Sequence, residues 1–158
     1  MKIGVISDTH SLLIPQKLLQ DLEHVDLIIH AGDICDPDTL KLLQKIKPVK
    51  AVYGNMCDAQ LKKKLPLKEY FECEGLNIGV HHGHVGIKDA MGNAQEQFKD
   101  QPTDIIIFGH SHHSFNQLIG KTLFFNPGSP NDVVKAKFFS YGLIEIQNKK
   151  FKANIIKL

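Results

Sequence analysis

Short apolar runs punctuate the chain, and the first three alternate with helical patterns. Residues 2–7 (KIGVIS) read as a buried strand. Across 15–23, Leu18, Leu19 and Leu22 recur at helical spacing, and Pro15 suits a first helical turn. Residues 26–30 predict a second strand. Asp36-Pro37 reads as an N-cap followed by proline at the first helical position. Leu40, Leu42, Leu43 and Ile46 extend that helix until Pro48 ends it, and 49–53 predict a third strand. Such a β-α-β-α-β unit predicts parallel strands with right-handed crossovers. The pattern then changes. Residues 70–74 and 76–81 flank Glu74-Gly75 as a hairpin. Residues 89–98 suit a short helix, and 104–108 (DIIIF) an unbroken strand. Two further hairpins are expected, 115–119 with 123–125 and 138–146 with 151–156. Lys62, Lys63 and Lys64 read as a solvated loop face. A parallel first half and a mostly antiparallel second half predict an α/β protein built as a two-sheet sandwich.

Bulk properties narrow the class. The chain has 158 residues, enough for one domain over 1–158 with a real core. Hydrophobic residues make up 42% and charged residues 23%, as in ordinary globular proteins. A net charge of +2 gives no case for a long nucleic-acid partner or a membrane surface. No apolar run approaches the ~20 residues of a membrane span, and the first ten residues lack signal-peptide character. Three cysteines without regular spacing argue for a reducing compartment, so a cytoplasmic location is expected. Nine histidines are the one compositional oddity.

Those histidines fall in a pattern. Asp8 and His10 follow the first apolar run, Asp33 the second and Asn55 the third. His82 follows LNIGVH, and His110 and His112 follow DIIIFG. Parallel strands would gather these side chains along one sheet edge, where open α/β sheets bind ligands. Two carboxylates, an amide and four imidazoles suit a pair of divalent ions. The mixed oxygen and nitrogen donors favour Mn, Fe, Co, Ni or Zn over Ca or Mg. A water shared by two such ions becomes a hydroxide near neutral pH, and its natural reaction is in-line attack on phosphorus.

The segments SDTH, GDICD, GN, HHGH and GHSHH, in this order, resemble the calcineurin-like metallophosphoesterases. The short length and NPGS at 126–129 resemble their small prokaryotic, YfcE-like phosphodiesterase branch. That resemblance implies a four-layer α/β/β/α sandwich, two mixed sheets flanked by helices, with a dinuclear centre. It implies that Asp8, His10, Asp33 and His112 hold one metal and that Asp33, Asn55, His82 and His110 hold the other, Asp33 bridging. Two divalent ions are therefore expected, Mn2+ first, with Ni2+, Fe2+, Co2+ or Zn2+ as alternatives. His82 is preferred to its neighbours because it directly precedes glycine. Asp33, Asn55 and the substrate contact His84 form the expected catalytic set. Asp36 matches the last acid of the family's GDxxD and is expected to orient a ligand histidine or loop.

One departure bears on the reaction. Many family members carry a histidine after the asparagine that can act as general acid, and here Met56 stands in its place. Leaving groups of low pKa should then be favoured, which points to a small phosphodiester substrate. A phosphomonoesterase is the alternative within enzymes. A protein-binding scaffold like the retromer subunit of this fold is the alternative outside them. His81 and His113 read as neighbours of ligands, and His30 as either a site neighbour or core. Cys35 and Cys57 read as buried thiols. Asn126 and Ser129 are candidates to close the site or to form a plain turn. Exposed hairpin edges suggest a homodimer.

Overall fold

Two five-stranded sheets pack face to face in a computed structural model that describes residues 1–158. The first contains β1 (Lys2–Ile6), β2 (Leu27–His30), β3 (Val49–Ala51), β9 (Ser140–Gln147) and β10 (Lys150–Lys157), in the order β10-β9-β1-β2-β3. β1, β2 and β3 run parallel, with Ile3 opposite Leu27 and Ile28 opposite Val49. The β9–β10 hairpin adds antiparallel to β1, Ile3 facing Ile144. The second sheet contains β4 (Lys68–Cys73), β5 (Leu76–His81), β6 (Ile105–Ile107), β7 (Phe115–Ile119) and β8 (Thr122–Asn126), in the order β4-β5-β6-β8-β7. Here β5, β6 and β8 are parallel, and antiparallel β4 and β7 form the edges.

The expected, mostly antiparallel second half holds for its three hairpins and for β9 on β1, and only β5, β6 and β8 pair parallel within it. Its three hairpins supply edge strands, while the centre of the second sheet, β5-β6-β8, is parallel. The apolar runs of β5, β6 and β8 are buried on both faces, which is the condition for parallel pairing.

Burial explains the layers. Ile3, Val5 and Ile29 of the first sheet pack against Ile78, Ile107 and Phe125 of the second, forming the largest core. On the outer face of the first sheet, Ile6 and Ile28 pack against Leu18 and Leu22 of α1 (Gln16–Leu22) and Leu43 of α2 (Pro37–Ile46). On the outer face of the second, Ile106 and Phe124 meet Ala90, Ala94 and Phe98 along α4 (Ala90–Gln97). The architecture is thus the expected α/β/β/α sandwich.

One helix escaped the sequence pattern. α3 (Ala59–Lys64) contains the three lysines read as loop, and its cap is Asp58, which accepts from the Leu61 N–H at 2.7 Å. Only Leu61 of this helix is buried, so it has no apolar stripe to read. β3 also stops at Ala51, short of Tyr53, and β9 starts at Ser140, past Phe138.

Candidate metal centre

Six strand ends meet at one edge of the sandwich, and the candidate residues lie in the turns just beyond five of them. Five of these residues have left-handed backbones: Asp8 (φ 56°), His10 (φ 49°), Asp33 (φ 56°), His110 (φ 67°) and His112 (φ 59°). The only other non-glycine residues with positive φ are Glu74, Asn148 and Lys149, all in hairpin turns. Such conformations cost on the order of 1–3 kcal/mol each and persist where the surroundings enforce them. Here the enforcement is a backbone lattice. The Asp8 N–H donates to Gly32 O at 3.0 Å, His10 N–H to Asp33 O at 2.9 Å, and Gly109 N–H to His82 O at 3.1 Å. The last of these joins two loops of the second sheet, and the backbone N–H of His110, donating to the Asp8 carboxylate at 3.1 Å, ties them to the first. Two glycines permit the close approach: a Cβ at Gly32 would overlap the His82 ring, and one at Gly54 would overlap the Asp33 carboxylate.

The side chains converge accordingly. Ligand atoms of Asp8, His10 and His112 all lie within 4.8 Å of one another, as do those of Asp8, Asp33 and His82. His10 Nε2 and His112 Nε2 are 3.4 Å apart, and His112 Nε2 is 3.4 Å from Asp8 Oδ1. His82 Nε2 is 3.2 Å from Asp33 Oδ2 and 3.9 Å from Asp8 Oδ1. The carboxylate common to both triads is Asp8. His110 stands in neither triad; its ring lies edge-on to His82, centroids 5.2 Å apart, and its N–H reaches Asp8 Oδ2 at 3.1 Å. Asn55 is exposed at the rim, on the loop whose next N–H, that of Met56, donates to Asp33 Oδ1 at 2.8 Å.

Hydrogen bonding sets the histidine tautomers. His82 Nδ1 lies 2.8 Å from Ala31 O, so the ring donates there and leaves Nε2 as its free lone pair. That Nε2 is buried and faces the two carboxylates, with Asp33 Oδ2 at 3.2 Å and Asp8 Oδ1 at 3.9 Å. His112 is arranged the same way, with Nδ1 against the Asp132 carboxylate and Nε2 turned toward Asp8 and His10. A carboxylate or carbonyl behind an imidazole is the usual support of a metal-binding histidine. Asp132 is thus a functional candidate that sequence reading missed, because its segment 128–137 has no periodicity and its partner lies twenty residues away.

Charge gives the second argument. Asp8 and Asp33 are both buried, and their only ion-pair partners are histidines. Burial pushes the Asp8 carboxyl up, and His82 and His112 only partly oppose it. Burial also acts upward on Asp33, but His82 and the Met56 N–H outweigh it and hold it at about 2. Burial pushes His82 down, and Asp33 and Asp8 reverse that, so it is raised. His110 and His112 are lowered, by burial first. Two buried carboxylates whose only ion-pair partners are imidazoles form a site short of positive charge, and a divalent cation fits that deficit.

The remaining candidates sort by contact. His84 is half-buried, tilted against Tyr53 (5.9 Å) and His82 (5.3 Å), and held at about 4 by burial and then by His82. His81 is buried, stacks on His84 at 5.8 Å and accepts from the Gly83 N–H. His30 accepts from the Gly32 N–H and bonds Thr9 Oγ1 at 3.0 Å, so it braces the site from behind. Asp36 is the cap of α2, as its Asp-Pro start predicts: its oxygens accept from the Thr39 N–H and hydroxyl, so the reading of it as the partner of a ligand histidine is corrected. Ser129 Oγ donates to Asp8 O, and the Asn126 amide donates to Gly109 O, so this turn closes the site. Cys35 Sγ lies 3.4 Å from His10 Nδ1, and burial, then Asp33, pushes its thiol up to about 12.

Comparison with known proteins agrees with this geometry. The model of the calcineurin-like phosphoesterase superfamily domain matches residues 1–149. The chain belongs to that superfamily. It is therefore a phosphoester hydrolase of a metal-dependent family. Among similar calcineurin-like proteins, a probable metallophosphoesterase of Methanothermobacter thermautotrophicus is 34% identical, covering 99% of this chain and 92% of the relative. A phosphodiesterase of Methanocaldococcus jannaschii is 24% identical over 99% of this chain and its own full length. Vps29 of Entamoeba histolytica, solved in complex with Zn2+, superposes with a TM-score of 0.79 at 26% identity, covering 99% of each chain. No helix of this calcineurin-like domain is long and apolar enough to cross a membrane.

Proposed function

We propose that this chain is a dinuclear-metal phosphodiesterase acting on small phosphodiesters. The observation that carries the reading is the pair of donor triads sharing buried Asp8 at one sheet edge. Asp8, His10, Asp33 and His112 would hold one ion, and Asp33, Asn55, His82 and His110 the other. Bound there, two divalent ions, Mn2+ first and Ni2+, Fe2+, Co2+ or Zn2+ as alternatives, would supply Lewis acidity and a hydroxide at neutral pH for in-line attack. His82 and His112 are held in the tautomer that presents Nε2. The Met56 N–H fixes Asp33 by its other oxygen. His84, tilted against His82 and held at about 4 by burial first, would accept a hydrogen bond from substrate.

The missing acid after Asn55 supports the choice of substrate class. Met56 is exposed and cannot protonate a departing alkoxide. Esters whose alcohols leave without a proton are then favoured, and the name of the M. jannaschii relative supports a diester. With added Mn2+, bis-p-nitrophenyl phosphate should be hydrolysed faster than p-nitrophenyl phosphate. The reverse order would favour the phosphomonoesterase alternative, and no turnover with any divalent ion would sink both. The likeness to Vps29 is one of fold, and the intact Asp8, His10 and Asp33 favour hydrolysis over a purely protein-binding role.

A further inference from the structure

The two ends of the sandwich differ in their exposed apolar residues. Of the large hydrophobic side chains more than half exposed, Leu13 (93%), Met56 (58%), Ile87 (103%), Val133 (78%) and Val134 (86%) all lie in loops that carry or adjoin candidate ligands. The sixth, Leu118, lies on edge strand β7. The connections at the opposite end, residues 23–26, 47–48, 74–75, 99–104, 120–121 and 148–149, contribute none. Single exposed apolar residues are ordinary; a set confined to the catalytic rim marks a binding surface.

The charges on the same loops point the same way. Asp36, Asp58 and Asp89 are engaged as helix caps, and Asp132 faces His112. Lys62 reaches the Asn55 carbonyl at 2.9 Å, and Lys135 follows Val134 directly. The Asn131 amide donates to the Leu12 and Leu13 carbonyls at 3.3 and 3.2 Å, which binds the Val133-Val134 loop to the Leu13 loop as one rim. The mouth is thus apolar, with Lys62 and Lys135 paired to no carboxylate and these four acids committed.

We propose that the substrate is a phosphodiester with a large apolar ester group, which lies on this rim while its phosphoryl group meets the buried donors. This rests on the phosphodiesterase reading above. A protein seated on the same rim would cover the donors without bringing them a phosphoester, whereas an amphiphilic diester does both. A fully buried methylene is worth about fourfold in affinity, so a half-covered chain is worth roughly twofold per carbon.

The test is a series of p-nitrophenyl alkyl phosphates from methyl to octyl, read as kcat/KM for p-nitrophenolate release. Over the seven carbons added from methyl to octyl, a rise on the order of a hundredfold is expected. Ile87→Ser with Val134→Ser should flatten it, and Leu118→Ser should not. Calorimetry with methyl- to octylphosphonate reads the same slope as affinity without turnover. Flotation with phosphatidylglycerol vesicles that is lost in the double variant would assign the apolar group to a membrane lipid. A steep series without flotation would assign it to a soluble ester, and both results support the proposal. A flat wild-type series, a slope that survives the double variant, or a concentration-dependent dimer abolished by that variant would overturn it. Steep phosphonate affinity with no diester turnover would sink the phosphodiesterase reading and leave the apolar rim standing.

Discussion

At the residue scale, the centre depends on side chains that never reach the substrate. Asp132 sits behind His112 as a carbonyl sits behind His82. Replacing Asp132 by Asn should weaken divalent-metal binding by roughly 10–100-fold while barely shifting the melting temperature, as outer partners of metal ligands do. Calorimetric metal titration beside a thermal melt checks this, and unchanged affinity would remove Asp132 from the site. Cys35 gives a chemical prediction. With its thiol pushed up to about 12, almost none is thiolate at neutral pH. Burial raises Cys57 and Cys73 as well. Ellman's reagent at pH 7.5 should therefore label the folded protein far more slowly than the guanidinium-unfolded chain; fast labelling of one thiol in the fold would contradict the assignment. The donors were legible in sequence because each follows a strand. Asp132 was not, because its role exists only through a partner on another loop.

At the element scale, strand ends and helix caps share the same loops, and the two roles can be separated. Asp36 caps α2, so Asp36→Ala should cost about 1 kcal/mol of stability and leave metal affinity unchanged. Gly54 does the opposite work. A methyl group there collides with the Asp33 carboxylate, so Gly54→Ala should impair metal binding more than it lowers the melting temperature. Running both variants through one metal titration and one denaturant melt separates a cap from a close approach. The parallel strands were readable from their apolar runs, and α2 from its Asp-Pro start. α3 was not, since a short helix with one buried leucine has no stripe. The edge placement of β4 and β7 also escaped, because hairpin signals tell which strands pair and not what lies on their far side.

At the scale of the whole molecule, burial at the sheet edge couples stability to pH. His30 is fully buried, and burial, then His82, holds it at about 3, below its ordinary value. Between about 6.5 and 3 the unfolded chain takes up a proton that the folded chain refuses. Its contribution to stability is thus intact above about pH 6.5 and is lost as pH falls through that window, by up to about 1.4 kcal/mol per pH unit. Urea melts of the metal-free protein at pH 7.5, 6 and 5 should show this loss, and His30→Gln should remove that component of the slope. Equal slopes in the two proteins would refute it. Asp33, held at about 2, gives up its own share only as pH falls below the ordinary carboxylate value of about 3.9, lower than any of the three melts.

The sequence alone determined that the chain alternates strand and helix, that seven donor-type residues stand past strand ends, and that no acid follows Asn55. Those properties are local: they follow from side-chain period, from capping chemistry and from residue identity. The tertiary structure decided which donors approach which. It made Asp8 the carboxylate common to both triads, set His82 and His112 in a metal-ready tautomer, brought Asp132 to His112 and gathered five of the six most exposed large apolar residues on one rim. Each of those facts depends on two sheets packing face to face, so that loops distant in the chain share one buried and weakly solvated edge. Proximity of that kind leaves no periodic trace in a sequence.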